Sequence, residues 1–67
     1  MNEIQFQKPH TNIFAFVRMD GDEGKLLFKG EMVEYNPETE VNRLINNFAF
    51  TLDEFAHWLK RENMKVC

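Results

Sequence analysis

The residues with most chemistry to offer stand together in Asp20-Gly-Asp-Glu-Gly24. Clustered carboxylates invite a hard cation, because calcium takes oxygen ligands from side chains gathered in one loop. The spacing does not serve, since counting from Asp20 a glycine occupies the fifth place, where an EF-hand loop supplies a ligand. The same five residues make a natural hairpin turn, with glycines to take up positive φ, and the spacing predicts that turn rather than a metal loop. His57 offers a second candidate, with Asp53 and Glu54 one helical turn before it. Carboxylates at that spacing could orient an imidazole, but on the polar face of a helix they form an exposed charge network rather than a general base.

Nucleophiles and metal ligands are scarce. The chain has no serine, and Cys67, the single cysteine, is its last residue, so ordinary covalent catalysis has no equipment. His10, His57 and Cys67 are the only soft ligands, and none lies at a spacing that holds zinc. Gly21 and Gly24 fall between two strands, not between a strand and a helix, which removes a phosphate-cradling loop. The expectation is a protein without catalytic activity, metal or cofactor.

Several elements must position whatever remains. Glu3 to Lys8 alternates, with Ile4 and Phe6 on one side and Glu3, Gln5 and Gln7 on the other, as in a half-buried strand. After the turn at Pro9 to Asn12, the stretch to Met19 reads as a second strand that is apolar on both faces. Ile13, Ala15, Val17 and Met19 point one way, Phe14 and Phe16 the other. Lys25 to Tyr35 makes a third strand, in which Gly30 marks a bulge.

Two helices are expected after these strands. Asn36 suits an N-cap and Pro37 the first helical position, and Val41, Leu44, Ile45 and Phe48 recur at helical spacing up to a stop near Asn47 to Ala49. Thr51 and Glu54 have capping-box spacing and Phe50 and Phe55 that of a hydrophobic staple, opening a second helix from Leu52 to Asn63 with Leu52, Phe55, Ala56 and Leu59 as its apolar stripe. The expected fold is α+β: a three-stranded antiparallel meander followed by two short helices packed on one face. Residues 1–67 would form a single small domain with a frayed tail over 63–67.

At 67 residues such a domain buries only about 60% of its unfolded surface, so its margin of stability is small. With 43% hydrophobic and 13% aromatic residues it has a core to build, which excludes disorder. The lone cysteine fits a reducing compartment, no basic and apolar leader opens the chain, and no run approaches the roughly 20 apolar residues that cross a bilayer. The protein is therefore expected in the cytoplasm, away from membranes.

Function must then be carried by surfaces. Two helical stripes cover one side of a meander and leave apolar side chains on the other. The expectation is a small regulatory or protein-interaction module that binds another protein or itself, as a homodimer through an apolar sheet face, with Phe14, Phe16, Leu27 and Trp58 at the contact. Trp58 belongs to this set because it falls at the border of the helical stripe, where tryptophan anchors interfaces, and packing under the preceding loop is the equal alternative for it.

Two other readings compete. Phe14, Phe16, Arg18 and Lys29 could stack and hold a single-stranded nucleic acid. Alternatively, Asp20, Asp22, Glu23, Glu31, Glu34, Asp53 and Glu54 could form an acidic patch that inhibits a nucleic-acid-binding enzyme by occupying its basic site. A formal net charge of −3 disfavours nucleic acid and is modest for such an inhibitor.

Overall fold

The computed structural model describes residues 3–67, apart from the Asp22 side chain, and the part of the acidic patch assigned to Asp22 lies outside that description. In chain order the elements are β1 (Glu3–Gln7), β2 (Ile13–Asp22), β3 (Lys25–Asn36), β4 (Val41–Phe50), α1 (Leu52–Arg61) and β5 (Lys65–Val66). The strands form one antiparallel sheet in the order β4-β3-β2-β1-β5. This overturns the meander with two helices: four strands run consecutively, a fifth closes the far edge, and one helix covers one face.

The β2–β3 turn is dictated by its residues. Glu23 and Gly24 both have positive φ, 48° and 77°, between the paired Asp22 and Lys25, and two consecutive left-handed residues match the twist of a tight hairpin. At the next turn the expected helix start is instead a loop. The Asn36 side-chain oxygen accepts from Glu38 N at 2.9 Å, the Asn36 carbonyl accepts from Glu40 N at 2.7 Å, and Glu40 turns through φ 58°. Asparagine followed by proline satisfies a turn by the same local hydrogen bonding that caps a helix.

The loop leads into β4, a strand where the spacing predicts a helix, and the ladder shows why. Val33 pairs with Leu44 but Met32 pairs with Asn46, so Ile45 is an extra residue in the pairing. A bulge shifts the two-residue alternation by one place, and the shifted pattern imitates helical spacing. Valine, isoleucine and three asparagines are in any case poor helix formers, and the β-branched pair favours a strand. Gly30, where the bulge was expected, stays in register between Val17 and Phe48.

Ala15, Val17 and Phe6 point to the face under α1, where they join Phe28, Phe55, Trp58 and Met64 in the buried core. Phe55 stacks on Phe28 with ring centroids 4.6 Å apart and meets Phe6 edge-on at 5.8 Å. Trp58 lies against Phe48 at 4.9 Å and Phe50 at 5.7 Å. Aromatic pairs at such separations add to the area they bury.

Both ends of α1 are fixed locally. Thr51 Oγ1 accepts from Glu54 N at 3.4 Å while Glu54 Oε1 accepts from Thr51 N at 3.0 Å, a complete capping box. At the other end Asn63 adopts φ 57°, its N–H donates to the Lys60 carbonyl and that of Met64 to the Leu59 carbonyl, the paired bonds of a Schellman turn. The turn sends Met64 into the core and lays Lys65 and Val66 against β1, with Cys67 N bonded to Gln5 O at 3.0 Å. Of the residues expected to fray, Lys65 to Cys67 are thus tied to the sheet, and Asn63 and Met64 to the end of the helix.

Candidate functional site

The face of the sheet turned away from α1 is ordered in rows that run across the strands. Gln7, Phe14, Val33 and Leu44 make the first, and Gln5, Phe16, Glu31 and Asn47 the second. Glu3, Arg18, Lys29 and Ala49 form the third, with Asp20 beside Leu27 beyond it. Alternation along each strand puts these residues on one side, because neighbouring side chains point to opposite faces.

Phe14, Phe16, Leu27, Arg18 and Lys29 therefore share this open face. Trp58 does not join them. It is 5% exposed and lies under the helix on the opposite side of the sheet. The apolar stripe of α1 is centred on Phe55 and Trp58 rather than on Leu52, which is 60% exposed. Phe50 carries this rotation: immediately before the cap, it stacks on Phe48 and leans on Trp58.

Val33 and Leu44 complete the open face and were missed. Val33 is buried between Phe14 and Leu44, although no second layer of the described residues covers that side, whereas Leu44 is 54% exposed. Reading β4 as a helix hid this apolar row across three strands. The signal available was compositional: Val41 and Ile45 in a stretch with three asparagines favour a strand.

The charges of this face are largely matched within it. Arg18 reaches Glu31 at 3.3 Å and Glu3 at 3.5 Å, while Lys29 meets Asp20 at 3.0 Å. The hydrogen bond and charge of Glu31, followed by the charge of Glu3, raise the Arg18 pKa above its ordinary value. Glu34 pairs with Arg43 at 2.6 Å on the other face. Three carboxylates of the expected acidic patch, Asp20, Glu31 and Glu34, thus have cationic partners, and Glu54 is occupied in the capping box.

The residues that could do covalent or metal chemistry do not converge. His57 Nδ1 lies 2.8 Å from the Asp53 carbonyl oxygen, to which it donates, so its contact is with backbone rather than a carboxylate. Cys67 is exposed, and among the described residues no group of three or more His, Cys, Asp or Glu side chains is placed to hold a metal ion. Among the described residues, Asn12, Tyr35, Pro37 and Arg43 help line one shallow hollow and Phe50, Asp53, His57 and Arg61 another. Among the described residues no helix is long and apolar enough to cross a membrane.

Comparisons with protein-family models, with curated proteins and with solved structures find no match to this chain.

Proposed function

We propose that this is a non-catalytic, regulatory protein-interaction module of the cytoplasm, and that the open face of its sheet receives another protein. The observation that carries this reading is the row Phe14–Val33–Leu44, which crosses three strands with no helix or strand layer above it among the described residues. An apolar centre bordered by polar and charged residues is the usual anatomy of a protein-binding surface. Gln5, Gln7, Glu3, Arg18 and Glu31 supply such a border here.

The matched charges favour protein over nucleic acid. A polyanion would have to displace Glu3 and Glu31 from Arg18 and Asp20 from Lys29 before either cation could reach a phosphate, whereas affinity for a phosphate backbone rises with the number of free cations that meet it. An inhibitory acidic patch is disfavoured by the same pairs.

The test is capture from a lysate of the producing cells with the wild-type chain and with Phe14→Gln/Phe16→Gln, which leaves β4 untouched, as baits. The captured protein is then purified and titrated into isotopically labelled wild-type chain. A partner lost by the variant, whose binding shifts the amide signals of β2 and β3 beneath the open face, is the expected result. Equal capture by both baits, or shifts confined to the helix side, would refute the reading.

A further inference from the structure

The β4 strand is the uncovered edge of the sheet: ten residues long, paired with β3 on one side only, and carrying one charge, Arg43. Edges of this kind are normally shortened, charged or covered, because their free N–H and C=O groups accept another strand. Val41, Leu44 and Ile45 are exposed along it at 58%, 54% and 42%. We infer that two copies of the chain pair antiparallel through β4, joining their sheets into one. This goes beyond the binding role of the open face, which such pairing leaves uncovered on both copies.

Self-complementarity carries the inference. The ladder with β3 puts Val41, Arg43, Asn46, Phe48 and Phe50 on the helix side and Asn42, Leu44, Asn47 and Ala49 on the open side, with Ile45 as the bulged residue between. Antiparallel partners directly opposite each other must point to the same face. A regular strand with an even number of residues, laid along its whole length against its own copy, fails this requirement, because its two ends face opposite sides. The bulge corrects the mismatch.

With full overlap, Val41 of one copy lies opposite Phe50 of the other, Asn42 opposite Ala49, Arg43 opposite Phe48 and Leu44 opposite Asn47. Every one of these pairs shares a face, and the twofold axis passes between Ile45 and Asn46. No two charges oppose each other, and each Arg43, already countered by Glu34, is set across from an aromatic ring. Val41 of each copy comes beside Phe50 of the other, at the hollow that Phe50 and Trp58 line with the first turns of α1. The overlap would run about 33 Å, at ~3.3 Å per residue.

Sedimentation equilibrium combined with register-specific cross-linking tests the pairing. The wild-type chain should reach twice its 8.0 kDa mass as concentration rises. In a Cys67→Ser background, Leu44→Cys mixed with Asn47→Cys should give a disulfide-linked dimer under mild oxidation that neither gives alone, since each residue opposes the other and not itself. Asn42→Cys mixed with Ala49→Cys is the second pair, should the first disturb the bulge.

A mass of one chain at all concentrations would overturn the inference, as would a dimer in which neither mixture cross-links. So would a dimer lost in Phe14→Gln/Phe16→Gln, which leaves β4 untouched, and cross-linked instead between open faces. Capture of a partner through the open face is read separately, so either proposal can fail without the other.

Discussion

Gly30 stands across from Phe48 in the β3–β4 ladder, and a methyl group added to it would lie 3.1 Å from Phe48 Cζ and collide with the Phe16 carbonyl. The ring that helps seat Trp58 thus rests over a backbone position with no room for a side chain. Gly30→Ala should destabilise the fold by about 1–3 kcal/mol, the usual cost of forcing extra atoms into a packed interior. A urea midpoint within error of wild type would contradict this account of the glycine.

Trp58 makes the sharpest separation between core and surface. Truncation of a buried tryptophan typically costs about 3–5 kcal/mol, comparable to the ~3–5 kcal/mol that a core of this size supplies in total. Trp58→Ala should therefore be largely unfolded by circular dichroism at room temperature. Trp58→Phe, which keeps a ring against Phe48 and Phe50, should fold with a lowered midpoint. A folded, stable Trp58→Ala would instead place this side chain outside the core.

The helix start is testable by a smaller change. Thr51→Ala removes the acceptor for Glu54 N and should cost about 1 kcal/mol, while Thr51→Ser retains it and should cost much less. Equal losses for the two variants, measured by thermal unfolding, would show that the cap is not the source of the effect.

Arg18 is the hub of the charged row, yet its side chain and those of Glu3 and Glu31 are all more than a third exposed. Exposed pairs contribute little because solvent screens them, so Arg18→Gln should leave stability almost unchanged in a denaturant titration. The sign of its linkage is also fixed. A cation whose folded pKa is raised is stabilising below its ordinary value and loses that contribution only as pH climbs through the raised one. Arg18 should therefore add no pH dependence near neutrality, and a neutral-pH slope that disappears in Arg18→Gln would contradict this.

The tail provides the last case. Removal of Met64 to Cys67 takes away a buried methionine, the β5 pairing and the bond from Cys67 N to Gln5 O. Loss of a buried methionine side chain alone typically costs about 2–5 kcal/mol, and the truncated chain should show a large fall in its melting temperature. An unaltered melt would mean that these residues do not support the fold.

Legibility in the sequence divides along the range of each signal. The faces of β1 and β2 are set by strict two-residue alternation, and Thr51 with Glu54 announces the helix start, since each signal depends on near neighbours alone. Ile45 breaks the alternation of β4 and produces the spacing of a helix, while Asn36-Pro37 can open either a helix or a turn. The choice between them is made by pairing with β3, a contact distant in sequence. At the candidate site, Phe14, Phe16, Arg18, Leu27 and Lys29 fall together because they alternate along paired strands. Helical spacing alone sets Trp58 at the border of a stripe that includes Leu52, where core and interface are equally open to it, and only packing against Phe48 and Phe50 rotates it inward.

The closure of the sheet by β5 has an architectural consequence. Val66 pairs with Phe6 and Lys65 with Gln7, so the first and last strands described are side by side and the backbone leaves the unit close to where it came in. A fold with adjoining ends can be spliced into an exposed loop of a host protein without prising the host's chain apart. For the same reason, bridging the ends and cutting at Glu23-Gly24 should yield a circular permutant that rebuilds the same sheet.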